Sequence, residues 1–108
     1  MSLRSIEFHV LLALAGEERH GYAILQEVTL LTDGEIELEP GTLYRALHRM
    51  LKDGWIAEAS RRPAADLDDE RRKYYRLTPL GRRIASAEAD RLLRLVAIAR
   101  SHRLLSRA

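Results

Sequence analysis

Four side chains with cationic or hydrogen-bonding groups recur at helical spacing between residues 42 and 52. The residues that would share one face of a helix with 3.6 residues per turn are Thr42, Arg45, Arg49 and Lys52. Arginine carries a planar fork of donors that matches phosphate oxygens or the O6 and N7 acceptors of guanine. Such a face fits the major groove of double-stranded DNA, although spacing alone leaves an ordinary solvated surface open. Tyr44, beside this face, is suited either to donate to a phosphate or to pack.

A second group of cations flanks a charged segment between residues 61 and 73. These cations are Arg61, Arg62, Arg71, Arg72 and Lys73. Their donors suit contact with phosphates or with a minor groove. The same segment also contains four carboxylates, namely Asp66, Asp68, Asp69 and Glu70. Pairing between the two signs would leave the segment neutral, so the sequence allows both outcomes.

The residues that catalysis or metal binding would need do not form a known pattern. The chain has no cysteine, and its six glycines are scattered rather than grouped in a phosphate-binding loop. The four histidines lack metal-ligand spacing, and no serine lies in a nucleophile elbow. We therefore expect neither an enzyme nor a bound metal or other cofactor.

Hydrophobic periodicity predicts two helices before the first group of cations. One covers residues 3–15 and stops at Gly16, and the next begins near His20 and ends at Asp33-Gly34. The second helix is predicted to carry Tyr22, Leu25, Val28 and Leu31 along one side. Residues 35–39 alternate polar and apolar side chains, which predicts an extended segment or a short strand.

The first group of cations belongs to a third predicted helix. It runs from Thr42, the predicted N-cap, to about Asp53, and Gly54 supplies its stop. The opposite face is apolar and is predicted to enter the core through Leu43, Leu47, Met50 and Leu51. One helix therefore combines an apolar inner face with an outer face of hydrogen-bond donors.

A β-hairpin and a long helix are predicted after residue 54. The strands cover residues 55–59 and 73–77, so that the charged segment forms the tip of the hairpin. Thr78 and Pro79 then start a helix that runs to about Leu105 and is roughly 40 Å long. Packing within one chain is one way to cover its apolar stripe. Because the helix is longer than the core before it, we expect a second copy of the chain to cover Leu92, Leu95, Val96 and Ala99.

This order of elements predicts an α+β, mainly helical fold, a winged helix-turn-helix with a long C-terminal dimerisation helix. Residues 1–78 are expected to form the DNA-binding domain. Residues 79–108 are expected to form the dimerisation helix of the same compact unit. The third helix then takes the position of the recognition helix.

Charge is distributed unevenly along the 108 residues. Residues 1–39 carry two cations against eight carboxylates, a net charge of −6, whereas residues 40–108 carry sixteen against eight, a net charge of +8. A polyanion would therefore meet the second part of the chain. No apolar run is long enough for a membrane span or a secretory signal, so we expect a cytoplasmic protein without a membrane partner.

Four motifs resemble those of the PadR family of bacterial transcriptional regulators, in the order and spacing of that family. They are His20-Gly21-Tyr22-Ala23-Ile24, Pro40-Gly41-Thr42-Leu43-Tyr44-Arg45-Ala46-Leu47, Gly54-Trp55-Ile56 and Arg72-Lys73-Tyr74-Tyr75-Arg76-Leu77-Thr78-Pro79-Leu80-Gly81. The single helix that follows is similar to that of the family's compact subgroup. The resemblance implies a homodimer that represses a nearby promoter by binding an inverted repeat. In some members a small-molecule effector releases the DNA.

A winged helix module that binds another protein, without binding DNA, is the competing hypothesis. In such a module the outer face of the third helix is expected to be apolar or acidic, whereas here it is cationic. The acidic hairpin tip fits poorly with a wing that grips phosphate. The role of the tip is therefore left open, while the flanking cations keep their predicted role.

Overall fold

The structure of the protein is a computed structural model that describes residues 5–59 and 73–106. Over these residues the chain forms four helices and three strands. In chain order they are α1 (Ser5–Gly16), β1 (Arg19–His20), α2 (Gly21–Leu31), α3 (Pro40–Lys52), β2 (Ile56–Glu58), β3 (Tyr74–Leu77) and α4 (Pro79–Ser101). The predicted α+β, mainly helical fold is confirmed. The tip of the hairpin, with Arg71 and Arg72, lies outside the described residues.

The core forms where α1, α2 and α3 meet the hairpin. Its largest fully buried side chains are Val10, Leu11, Ile24, Val28, Leu43, Leu47, Met50 and Ile56. The predicted inner face of α3 is confirmed, with Ala46 also buried on it and Leu51 packed partly buried against the core. This burial fixes which side of α3 faces outward.

The buried side of α2 differs from the prediction at both of its ends. Tyr22 and Leu31 are exposed, whereas Ile24 and Val28 are fully buried. Tyr22, Leu25, Val28 and Leu31 are spaced by three residues, and each such step falls about 60° short of a full turn of the helix. The four side chains therefore wind around the helix, and the first and last of them leave the side that faces the core. The side that packs against the core is instead formed by Gly21, Ile24, Leu25 and Val28.

Two helices begin at a side chain that caps the first turn. The Nδ1 atom of His20 accepts a hydrogen bond of 3.2 Å from the backbone N–H of Ala23 and caps α2. The hydroxyl of Thr78 accepts one of 3.0 Å from the N–H of Gly81 and caps α4, as predicted. Each cap satisfies one of the donors that a helix start leaves without a partner inside the helix.

The start of α3 corrects the sequence prediction. The helix begins at Pro40, with Glu39 at the cap position and no side-chain cap bond, so Thr42 is not the N-cap. Proline needs no N–H partner and its fixed φ suits the first turn, which explains the start two residues earlier. Thr42 therefore lies inside the first turn of α3.

The sheet contains a strand that the sequence did not predict. The strand order is β1-β3-β2, and both pairs are antiparallel. β1 pairs Arg19 with Tyr75 and His20 with Tyr74. Its two residues are too few to show an alternating pattern, and β3 supplies the hydrogen-bonding edge that makes them a strand. Residues 35–39, the other predicted candidate, form no strand.

Alternation along β3 buries one of its two tyrosines, as predicted. Tyr75 is buried in the core, and Tyr74 is half-buried beside the His20 ring. Burial raises the pKa of the Tyr75 hydroxyl, and the neighbouring Tyr44 and Glu58 raise it further. The folded protein therefore holds the proton of Tyr75 more tightly than the unfolded chain does.

This shift predicts a loss of stability in alkali. Below pH 10.0, the ordinary pKa of tyrosine, the folded and unfolded chains both keep the proton. As pH rises past that value the unfolded chain ionises first, so the free energy of unfolding falls until the folded-state pKa is passed. We expect Tyr75→Phe to make the urea midpoint less dependent on pH above 10.0 than in the wild type. The matched control is Tyr22→Phe, at an exposed position, and an equal change in both variants would contradict the prediction.

The start of α4 docks on the turn between α3 and β2. The Thr78 hydroxyl donates to the Gly54 carbonyl at 2.6 Å and lies 3.0 Å from the Trp55 carbonyl oxygen. A Cβ built on Gly81 would overlap that same carbonyl of Trp55. Gly81 therefore lets the first turn of α4 approach the backbone of another element.

α4 is much longer than the helix on which it packs. With 23 residues it spans about 35 Å, whereas α1, with 12 residues, spans about 18 Å. α4 ends at Ser101, four residues before the predicted Leu105, and Arg103 adopts a left-handed φ of 60° just beyond it. Among the described residues, no helix combines the length and the apolar content that crossing a membrane requires.

Candidate nucleic-acid interface

The outer face of α3 carries the side chains that the sequence predicted for DNA contact. Arg45 and Lys52 are exposed, Thr42 is half-buried, and the Arg49 side chain is 41% exposed. Leu43, Leu47 and Met50 point into the core from the other side of the helix. Packing thus turns the cationic face of α3 toward solvent. The hydrogen-bond donors of all four side chains lie on this one face.

Thr42 and Arg45 lie together in the first two turns of α3. The Nη2 atom of Arg45 donates to the Thr42 hydroxyl at 3.4 Å, and both groups lie near the solvent. A helix that enters a major groove by its N-terminal end contacts bases with residues of these turns. Thr42 and Arg45 are therefore accessible to solvent at the N-terminal end of α3, and their contact with bases stays a prediction.

Tyr44 packs against the start of α2 and also faces solvent. Its ring lies over Gly21, since a Cβ on that glycine would come within 2.5 Å of the Tyr44 hydroxyl oxygen. About half of Tyr44 remains exposed. The hydroxyl end of the ring is thus the part that packs, whereas the predicted donation to a phosphate stays a prediction. This contact also joins two of the four motifs.

Arg49 has a partner that spacing could not reveal. Its Nε atom lies 3.6 Å from a carboxylate oxygen of Glu7, which is buried in the first turn of α1. No local sequence pattern pairs Glu7 with Arg49. The one available signal was a carboxylate within a mostly apolar helix, because a charge buried there needs a partner.

The hairpin carries two further exposed cations in the described part of the chain. Lys73 is exposed just before β3, and Arg76 is exposed on β3 itself. Sequence reasoning missed Arg76, although its alternation with the buried Tyr75 indicates the outer side of the strand. Arg71 and Arg72 lie outside the described residues. In the part of the chain that the structure describes, no three His, Asp or Glu side chains are grouped to hold a metal.

The predicted dimerisation stripe lies on the part of α4 that extends past the core. Leu95 and Val96 are exposed, and Leu92 and Ala99 are half-buried. Ile84 and Ala85, nearer the start of the helix, pack against the core. Between these two groups Arg91 donates two hydrogen bonds of 2.7 Å to the Glu88 carboxylate, which lowers the pKa of Glu88.

Three helices, a small antiparallel sheet and an outward cationic third helix define a winged helix-turn-helix protein. The chain belongs to the PadR-like family of transcriptional regulators, and the family model matches residues 10–87. It is similar to the transcriptional regulator Rv3488 of Mycobacterium tuberculosis, with 36% identity over 78 residues, which is 72% of this chain and 66% of that protein. The chain spans slightly less than two thirds of the length of the curated relatives it matches.

Solved structures share the fold at low sequence identity. A PadR family transcription regulator from Clostridium difficile R20291 has a TM-score of 0.76 and 23% identity, covering 92% of this chain and 98% of that one. PadR of Bacillus subtilis, solved in complex with operator DNA, has a TM-score of 0.67 and 19% identity. That match covers 80% of this chain and 47% of the other.

Proposed function

We propose that the protein is a repressor that binds an inverted-repeat DNA operator as a homodimer. The observation that carries the proposal is the two-sided α3, whose buried apolar face directs Thr42, Arg45, Arg49 and Lys52 outward. In this proposal residues 1–78 bind DNA, and residues 79–108 provide the dimerisation helix. Lys73, Arg71 and Arg72 contact phosphates from the hairpin.

The charge distribution supports this orientation on DNA. The net charge is −6 for residues 1–39 and +8 for residues 40–108, so a polyanion is attracted to the part of the chain that contains α3, the hairpin and α4. A winged helix that binds only protein is expected to have an apolar or acidic outer face on this helix. The outer face of α3 is instead cationic over its described residues. The structure of Bacillus subtilis PadR with operator DNA provides a precedent for the same fold on DNA.

A homodimer would bury the apolar side of α4 that is exposed in the single chain. Along α4, the stripe of Leu92, Leu95, Val96 and Ala99 continues the line of Ile84 and Ala85. Two copies packed through this stripe would hold two α3 helices at a fixed distance. Half-sites one turn of DNA apart, about 34 Å, would then be bound together. Space between the paired α4 helices would be the place for a small effector that releases the DNA.

The test is the selection of DNA duplexes from a random library by the full-length protein. We expect an enriched pseudo-palindrome that binds with nanomolar affinity at moderate salt, and a steep loss of affinity as salt rises. Fluorescence anisotropy measures the affinity and its dependence on salt, both for the selected duplex and for a scrambled duplex of the same composition. Failure to enrich any sequence, with weak binding to both duplexes, would contradict the proposed function.

Arg45→Ala is expected to reduce operator affinity selectively. Loss of a base contact costs about 1–3 kcal/mol on the selected duplex and relaxes specificity at one position of each half-site. Arg94→Ala, which removes an exposed cation from α4, is the matched control. Equal losses on both duplexes for Arg45→Ala would reassign Arg45 to phosphate contact.

Removing Arg71 and Arg72 should instead weaken binding to both duplexes and flatten the salt dependence.

A further inference from the structure

A buried carboxylate of α1 is paired with a cation of the recognition helix. The Glu7 side chain is 7% exposed, the Arg49 side chain is 41% exposed, and the Nε–Oε2 distance is 3.6 Å. Removing a carboxylate from water is unfavourable unless opposite charge or hydrogen-bond donors compensate it. Arg49 supplies such charge from α3, and the start of α1 favours a negative group as well. Glu7 therefore belongs to the core side of the interface and Arg49 to its outer side.

We infer that Glu7 is a positioning residue, which orients the Arg49 guanidinium for contact with a base and thereby increases discrimination between operator and other DNA. The inference rests on the proposed function. It assigns no contact between Glu7 and DNA, because the carboxylate is buried. Glu7 acts through Arg49.

The geometry of the pair supports orientation of Arg49. The contact uses Nε, so the terminal Nη atoms of the guanidinium retain an edge for another acceptor, such as guanine O6 and N7. An arginine held on one edge has fewer rotamers to lose when the other edge binds. Arg45, by comparison, contacts Thr42 of its own helix, at 3.4 Å. Arg49 is the arginine of this face that a second helix holds.

The charge of the pair also favours base contact over phosphate contact. The Glu7 carboxylate cancels one positive charge next to the face that would approach DNA, which weakens attraction to phosphates of any sequence. Removing the carboxylate is thus expected to have two opposite effects. Binding to all DNA should become tighter, and preference for the operator should fall.

The experiment is a double-mutant cycle on DNA binding. Wild type, Glu7→Gln, Arg49→Gln and the double variant are titrated with the duplex selected by the wild type and with its scrambled counterpart, over a range of salt. For Glu7→Gln we expect the ratio of operator to scrambled affinity to fall about tenfold, within the range of one base contact. Binding to the scrambled duplex should strengthen, with a salt slope steeper by about 0.9 at most. In the Arg49→Gln background the same change should leave the ratio unaltered.

Glu17→Gln is the matched charge control. It removes one carboxylate that is 60% exposed and lies 3.7 Å from Arg19, away from α3. We expect it to leave the affinity ratio unchanged. An unchanged ratio in Glu7→Gln, or an equal fall with and without Arg49, would overturn the inference while the proposed function stands. A wild type that selects no sequence would contradict the proposed function itself, and the inference with it.

Folding is monitored by circular dichroism during thermal unfolding of every variant. If Glu7→Gln does not fold, Glu7→Asp carries the test, because it keeps the charge and withdraws the carboxylate by one methylene. The ratio should then fall while the salt slope stays that of the wild type, since no charge has changed. An unchanged ratio in a folded Glu7→Asp would overturn the inference.

Discussion

Replacing both Leu92 and Val96 by lysine is expected to yield monomers that no longer hold operator DNA. Each buried aliphatic side chain contributes roughly 1.5–3 kcal/mol, and a two-fold interface contains each position twice. The loss is therefore about 6 kcal/mol or more, equivalent to over four powers of ten in the dimer dissociation constant. A monomer would bind one half-site at a time and lose the gain from simultaneous contact.

Sedimentation equilibrium at micromolar concentration measures this effect directly. We expect twice the chain mass for the wild type and the single-chain mass for the double variant. Ser86→Lys combined with Ala97→Lys is the matched control, because both positions are exposed on another side of α4. A wild type with the mass of one chain would contradict both the dimer and the inverted-repeat operator.

Gly81→Ala is expected to destabilise the fold more than any other single methyl addition at a glycine of α1, α2 or α4. The new Cβ would overlap the Trp55 carbonyl oxygen and lie 2.9 Å from its carbon, both backbone atoms that cannot rotate away. α4 would have to withdraw and weaken the Thr78 bonds to the turn before β2. Overpacking together with these bonds amounts to about 3 kcal/mol or more, against about 1 kcal/mol gained in helix propensity.

Thermal unfolding of the variant checks the prediction. A net loss of about 2 kcal/mol corresponds to a fall in Tm of roughly 8–16 °C for a domain of this size. Gly16→Ala is the matched control, because it adds the same methyl at the end of α1 with no atom within 4 Å. Its stability is expected to stay within about 0.5 kcal/mol of the wild type or to rise. Equal melting of Gly81→Ala and wild type would show that α4 does not depend on this close approach.

Local patterns were sufficient to predict the four helices, the two hairpin strands and the outward face of α3. In α3 the period of the apolar residues placed Leu43, Leu47 and Met50 in the core, and the same period placed Arg45 and Lys52 on the opposite side. The Thr78-Pro79 pair correctly marked the start of α4. These features depend on residues within about two turns of each other, so the sequence contains the information directly.

Patterns failed where local signals were short or competed. A two-residue strand such as β1 has no period, and it exists because β3 offers it an edge. Thr42 is a good N-cap residue, but Pro40 two positions earlier starts the helix. On α2, the apolar side that the sequence predicts includes Tyr22 and Leu31, but the packing of α2 against α1 and α3 leaves both exposed.

The sequence by itself determined the set of helices, the cationic face of α3 and the four motifs that indicate the family. Only the tertiary structure decided which motifs meet: Gly21 lies beneath Tyr44, and Gly81 lies against Trp55. The structure alone also paired Glu7 with Arg49. Each of these contacts joins residues far apart in the chain. They depend on how closely two elements approach and at what angle, which is set by the packing of the whole core rather than by the residues on either side.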